Sequence, residues 1–243
     1  MAQADETIGV ISALVDGFRD VLGSRLAALV AYGSAVTGDF IAGFSDFDFV
    51  AFVASGLEIA DCLELQRRLA SVDPYPFAYL QMHEPVDLSD EAGRRPILTP
   101  GSFRAVYGAV SDERFLHDEN SLRAAGRAWL ADLPRLIRQD TRDWAVAVGG
   151  ARTRLLRLLM TRLKPALRGL LVEQGEPVLQ TWAAPYAALA ERWALIAPEY
   201  GAQLKWLLEL LPPSPEVETR CGEAMIRILL AADQQARGVW SQR

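Results

Sequence analysis

Apolar positions recur at helical spacing over residues 5–22, with Ile8, Ile11, Leu14 or Val15, Phe18 and Leu22 on one stripe, which predicts an amphipathic helix. A continuous apolar run, Leu26 to Tyr32, then predicts a first strand, and Asp46 to Ala54 a second. Glu58 to Ala70 returns to helical spacing through Ile59, Leu63, Leu65 or Gln66, and Leu69, with Asp73-Pro74 as a stop signal. Phe77 to Met82 or His83, between Pro76 and Pro85, predicts a third strand. Strand, helix and strand in this order predict a small mixed sheet with helices on one face.

From Ser121 the pattern is helical to the end. The segments are Ser121 to Gln139, Arg142 to Val172, Pro177 to Ile196, Glu199 to Leu211 and Pro215 to Trp240, and Pro134 and Pro165 within them mark kinks or breaks. Long helices with short connections predict an antiparallel bundle. The expected fold class is therefore α+β: a sheet domain over residues 1–115, then an all-α helical domain over 116–243. Residues 85–120, rich in Pro, Gly and charge, read as a linker region. Phe103, Val106 and Tyr107 within it fit a short amphipathic helix; a functional use would be Arg104 and Tyr107 holding a phosphate and a base.

The chemistry concentrates in YGSAVTGDFIAGFSDFDFVAF, from Tyr32 to Phe52. Gly33 and Ser34 close the first apolar run; glycine permits a turn or close approach that a β-carbon blocks, and backbone N–H groups with the Ser34 hydroxyl can cradle phosphates. Asp46 and Asp48 open the second run. On a strand they share a face while Phe47 and Phe49 turn the other way. Two carboxylates so placed repel unless a cation satisfies them, and hard oxygen ligands suit Mg²⁺. Alone, a Gly-Ser pair is a turn and an Asp-x-Asp a solvated strand face. Together they run as strand, Gly-Ser, eleven residues, Asp, apolar residue, Asp, strand.

That combination resembles the signature of the DNA polymerase β-like nucleotidyltransferase superfamily, especially its minimal and aminoglycoside-type bacterial members; Gly38 and Ser45 also fit. One departure is Thr37, where such proteins frequently carry a basic residue. The resemblance implies a Mg²⁺-dependent enzyme, two ions being expected, that moves a nucleoside monophosphate from an NTP, ATP being favoured, to a hydroxyl of a small aminoglycoside-like acceptor with release of pyrophosphate. It implies Asp46 and Asp48 as catalytic metal ligands and Gly33 and Ser34 as nucleotide-binding residues. It also implies a third carboxylate from a neighbouring strand. Asp87, in an apolar-acid-apolar triplet, is the first candidate and Glu84 the next, although Pro85 interrupts the strand between them. If Phe77 to His83 sets the register, the central position is instead Gln81, which binds Mg²⁺ poorly and is no base. Gln81 supports an alternative, a nucleotide-binding regulatory module with weak or no turnover. Another is a transferase that modifies proteins (AMPylation). His83 and His117 read as structural residues.

Composition narrows the picture. A length of 243 residues accommodates one large or two modest domains, and no apolar run is long enough to span a membrane. The start, MAQADET, lacks a basic region followed by an apolar segment, so no signal peptide is expected. Cys62 and Cys221, far apart, suit free thiols in the cytoplasm. A net charge of −6 argues against general nucleic-acid affinity. Against that acidity, ARTRLLRLLMTRLKPALRG carries Arg152, Arg154, Arg157, Arg162, Lys164 and Arg168 without an acid. Arg157, Lys164 and Arg168 share a helix face. Lys164, with Arg157, is the candidate for the charge that Thr37 does not supply to the triphosphate. The acids Asp132, Asp140, Asp143, Glu173, Glu176 and Glu191 are candidates for meeting a polycationic acceptor. Trp129, Trp144, Trp193 and Trp206 read as bundle core, with substrate stacking the alternative use of Trp144 and Trp182.

Overall fold

The computed structural model describes residues 2–41, 44–45, 47–54, 57–70, 72, 77–83, 98–110 and 113–241, without the side chains of 2–10, 47, 77–83 and 114. The chain divides into two compact units, residues 1–40 with 45–117 and residues 41–44 with 118–243.

In the first unit, α1 (Ala2–Leu22) leads through a 3₁₀ turn (Gly23–Arg25) into β1 (Leu26–Tyr32). There follow α2 (Ser34–Thr37), β2 (Phe47–Val53), α3 (Ile59–Leu69), β3 (Phe77–His83) and β4 (Phe103–Gly108). The strand order is β3-β2-β1-β4. β1 runs antiparallel to both β2 and β4, whereas β2 and β3 are parallel, with α3 as the crossover that parallel pairing requires. The mixed sheet is thus the expected one with a strand added. Phe103 to Gly108 is that strand and not the short helix its apolar spacing suggested. The three-residue spacing of Phe103 and Val106 is ambiguous over six residues, and pairing to β1 decides it: Ala31 faces Arg104 and Tyr32 faces Phe103.

β1 lies at the centre of the sheet and is buried on both faces, which is why it reads as a continuous apolar run and not an alternating one. On one face Leu29 and Ala31 join Phe49, Ala51 and Val53 of β2, Leu14, Phe18 and Leu22 of α1, and Leu65 of α3. On the other, Ala28 and Val30 pack with Val50, Phe52, Leu98 and Phe115. The α1 stripe is buried as expected at Leu14, Phe18 and Leu22. The α3 stripe is not: Ile59 and Leu63 are 81% and 61% exposed, and Leu65 faces the core. Two anchors set this rotation. Arg25 donates two 2.7 Å hydrogen bonds to the Asp61 carboxylate, and Glu58 and Asp61 form a capping box at the helix start. With Asp61 held toward Arg25, positions 65 and 69, one and two turns on, follow it inward.

The helical unit comprises α4 (Glu119–Val146), α5 (Gly150–Glu173), α6 (Val178–Ala183), α7 (Tyr186–Ala194), α8 (Pro198–Glu209) and α9 (Pro215–Ser241), together with residues 41–44. Asp118 caps α4, its carboxylate accepting from the Ser121 N–H at 2.7 Å. The helix runs through Pro134 and past the expected break after Gln139; the chain leaves it at Ala147 and turns at Gly149, whose φ is +53°. α5 likewise runs through Pro165. The segment from Pro177 to Ile196 is two helices separated at Ala184-Pro185, proline being excluded from helix interiors except where the lost bond is tolerated.

Helices α4, α5 and α9 form the centre of this unit, with Trp193 of α7 fully buried and its Nε1–H donated to Gln235 Oε1 at 2.8 Å. α4 and α5 meet at glycine on glycine: a β-carbon on Gly169 would lie 2.8 Å from the Gly126 carbonyl oxygen, and one on Gly126 2.9 Å from the Gly169 Cα. The same two helices bury an ion pair: Arg162 Nη2 donates to Asp140 Oδ1 at 3.0 Å, and Arg162 Nε lies in ion-pair contact with Oδ2. Asp140 is raised above the usual carboxylate range by burial, the Arg162 charge opposing. Arg127 donates at 2.8 Å to the buried Glu173. Among the described residues no helix is long and apolar enough to cross a membrane.

The glycine contact predicts that Gly169→Ala, despite its better helix propensity, lowers stability by about 1–3 kcal/mol, because the new methyl group must separate two backbones. Chemical denaturation of the full chain measures this; equal or greater stability would contradict the close crossing.

Candidate active site

The site is built where β1 ends. Gly33 takes φ +74° and ψ −142°, a conformation open essentially to glycine alone. Its N–H donates to the Ser102 carbonyl at 3.1 Å, and its own carbonyl accepts from the N–H groups of Val36 (3.1 Å) and Thr37 (3.0 Å). The single turn of α2 therefore hangs on one peptide, and Gly38, at φ +81°, ends it with its N–H donated to the Ser34 carbonyl.

Across the ladder, Tyr32 pairs with Asp48. The Asp48 carboxylate lies directly against Gly33: a β-carbon there would stand 2.7 Å from Oδ2. Gly33 is thus required twice, by its dihedral angles and by the space the carboxylate occupies. Phe49 points into the α1 face and Val50 into the opposite core, so strand alternation sends Asp48 to the same face as Val50. Half-buried, Asp48 is raised from 3.8 to about 6, with burial the cause. A desolvated carboxylate of this kind has hard oxygen donors whose charge is poorly solvated, and the chemistry of that donor suits a divalent cation. Asp46, the companion acid, lies outside the described residues, and among those residues no group of three or more His, Cys, Asp or Glu side chains gathers to hold a metal ion.

Thr37 has a use of its own. Its hydroxyl approaches the Gly33 carbonyl at 3.2 Å and Asp39 Oδ2 at 2.8 Å. Where the resembled proteins frequently carry a positive charge, this chain has a strap across the turn; that strap, and the carbonyl of Ser102 behind Gly33, are parts of the site the sequence reading missed. The T-P-G-S string ending at Ser102 was the available signal for the second.

Asp87 and Glu84 both lie outside the described residues. β3 runs from Phe77 to His83 parallel to β2, with Tyr79 opposite Asp48 and Gln81 opposite Val50. His117 lends its backbone N–H to the Leu98 carbonyl.

The cations of α5 belong to the helical unit and are largely engaged within it. The Lys164 ammonium lies 5.2 Å from the centre of the Tyr186 ring, whose hydroxyl donates to the Met160 carbonyl at 2.6 Å. The Arg168 guanidinium lies over Trp182 at 5.5 Å, and that of Arg152 over Trp144 at 5.7 Å while also donating to the Ala147 carbonyl and Thr219 Oγ1. Arg162 serves Asp140, Arg157 is half-buried and Arg154 exposed. Of the acids proposed for a cationic acceptor, Asp132 pairs with Arg135, Asp140 with Arg162, Glu173 with Arg127 and Glu176 with Arg192, while Asp143 and Glu191 are exposed. Trp144, Trp182 and Trp193 are buried, and Trp129 and Trp206 partly so.

A mixed sheet with helices on one face, a glycine turn at the end of β1, an acid opposite it on β2 and a helical region after the sheet are the α+β arrangement expected from the sequence. The chain matches no protein-family model and no curated protein by sequence. Its structure is similar to that of spectinomycin adenyltransferase AAD(9) from Enterococcus faecialis, solved with ATP and spectinomycin, with a TM-score of 0.56 over 92% of this chain and 99% of that one, at 14% identity. The DNA polymerase β-like resemblance read from the sequence is borne out at the level of the fold.

The shifted Asp48 predicts a pH-dependent stability. The folded chain holds this proton up to about pH 6 and the unfolded chain only to about 3.8, so stability falls as pH rises across that window and stays lower above it. In chelator-treated protein, Asp48→Asn is expected to raise stability by about 1–3 kcal/mol at pH 7.5 and to change it little at pH 4. Denaturant melts at the two pH values measure the difference; a variant no more stable at 7.5 would contradict it.

Proposed function

We propose that the protein is a nucleotidyltransferase that moves a nucleoside monophosphate from an NTP, ATP first, to a hydroxyl of a small-molecule acceptor of the aminoglycoside or aminocyclitol class. The observation that carries this reading is the apposition of the Asp48 carboxylate and Gly33 at the end of β1, within a fold similar to that of an adenyltransferase solved with ATP and spectinomycin.

In this reading Gly33 and Ser34 orient the triphosphate at the turn, and Asp46 and Asp48 hold Mg²⁺. The metal, when bound, supplies charge neutralisation on the phosphates. Asp87 takes the proton of the acceptor hydroxyl as its oxygen attacks the α-phosphorus; the new P–O bond forms in line with the breaking bond to pyrophosphate, which leaves with the charge. A raised Asp48 favours the metal, because a carboxylate poorly solvated in the free protein gains more from a cation than an exposed one does. Protonation competes with the metal, so activity is expected to fall below about pH 6.

One observation favours a second reading, a nucleotide-binding module with little turnover. β3 runs over Phe77–His83 with Gln81 opposite Val50, the register in which the central residue is no base. Pyrophosphate release separates the two. With ATP, Mg²⁺ and spectinomycin or related aminocyclitols and aminoglycosides, the transferase releases pyrophosphate, Asp48→Asn lowers the rate by at least about a hundredfold, and Gly33→Ala does the same through lost space. Stabilisation by Mg-ATP in a thermal-shift assay without pyrophosphate from any acceptor supports the binding module. Absence of both overturns the nucleotide site altogether.

A further inference from the structure

We propose that the turn Thr99-Pro100-Gly101-Ser102 is a positioning element for the nucleotide site, acting through Gly33. This inference rests on the function proposed above and adds to it residues that are far from the Gly-Ser and Asp-x-Asp signature in sequence.

The turn carries the marks of a rigid type II β-turn: proline at its second position, glycine with φ +79° at its third, and the Ser102 N–H donated to the Thr99 carbonyl at 2.9 Å. It is anchored on both sides. Before it, Leu98 is 1% exposed in the core shared with Val30, Val50 and Phe52. The Leu98 N–H donates to the Phe115 carbonyl at 3.0 Å, and its own carbonyl accepts from the His117 N–H at 2.9 Å. After it, Phe103 opens β4 opposite Tyr32. Ser102, itself buried, therefore has little freedom, and it is the Ser102 carbonyl that receives the Gly33 N–H at 3.1 Å.

Gly33 needs such a partner. Glycine resists defined conformations because it loses the most backbone freedom on folding, and its observed dihedral angles are one option among many open to it. Two things depend on that choice: the direction of the chain entering α2, and the contact with Asp48, whose carboxylate occupies the space of the missing β-carbon. Rotating the Gly33 peptide would move the Ser34 backbone and open or close the gap to Asp48. The bond to Ser102 selects one orientation, and the turn holds Ser102 in place. Gly101 is exposed, and its φ of +79° is a backbone angle that a β-branched side chain disfavours.

The test uses that property. In the full chain, Gly101→Val disfavours the positive φ, whereas Gly101→Asn tolerates it. Mg-ATP affinity is measured by calorimetry at least 15 °C or so below each melting temperature, with Gly169→Ala in the helical unit as a control for lost stability. Gly101→Val is expected to weaken Mg-ATP binding at least tenfold and to speed hydrogen exchange of the Gly33 amide; Gly101→Asn is expected to remain within about threefold of the parent. Pro100→Ala, a milder loosening of the same turn, should fall between them and serves if the valine variant does not fold. The inference is overturned by parental Mg-ATP affinity in folded Gly101→Val, or in Pro100→Ala where that one must serve. It is equally overturned if the asparagine variant is as weak as the valine one, or if Gly169→Ala weakens binding as much for the same loss of stability. Failure of the parent chain to bind Mg-ATP overturns the proposed function, and this inference with it; the two failures are thus distinct.

Discussion

A carboxylate and a β-carbon compete for the same space at the end of β1, and the carboxylate has it. Asp48 can lie against the backbone only because residue 33 is glycine, and Gly33 can take its angles only because the chain on either side is fixed. β1 is fixed by burial on both faces. The turn beyond it is fixed by the Gly33 carbonyl, the Thr37 hydroxyl and the Ser102 carbonyl. The cost is electrostatic: an acid placed this way is desolvated, and its proton affinity rises accordingly. The contact that fills the turn therefore lowers stability once the carboxylate is charged.

The helical unit shows a different use of charge. In a chain of net charge −6, the basic run of α5 looks as if it were aimed at an anion, yet four of its six cations have partners within the helical unit. Lys164 and Arg168 lie over aromatic rings, Arg152 does so while bonding to a helix end, and Arg162 satisfies a buried aspartate. Cation–π contacts are worth about 0.5–1 kcal/mol when exposed and more when desolvated, so these side chains stabilise the helix packing whatever else they do. Removing Arg162 would strand Asp140 without its counter-charge, the costly half of any buried pair.

Much of this was legible in the sequence where one physical cause dominated. The continuous run of β1 announced a strand buried on both sides, and Leu14, Phe18 and Leu22 announced the face of α1. The Gly-Ser pair announced a turn that only glycine can make, and the second acid of the Asp-x-Asp pair lies against it. Legibility failed where distant partners decide. Ile59 and Leu63 are spaced like a core stripe, but the bidentate pair of Asp61 with Arg25, thirty-six positions away, turns them outward. Phe103 to Gly108 is too short for its periodicity to choose between helix and strand without β1 beside it. The strap from Thr37 to Asp39 was invisible for another reason: the residue was weighed for the charge it lacks and not for the hydroxyl it has.

Residues 41–44 count with the helical unit although the chain on both sides of them belongs to the sheet unit, and Phe44, 5% exposed, is a member of the helical core. The polypeptide therefore passes from one unit to the other three times, and two of those passages fall within a few residues of Asp46. This threading removes modularity. A fragment ending at residue 117 would carry away an aromatic residue that the helices enclose, and the remainder would be left with its vacancy. For the same reason, a different helical region could not simply be spliced after the sheet over evolutionary time. The loop that leads into the acidic pair would have to change with it, so variation in the one is tied to variation in the other.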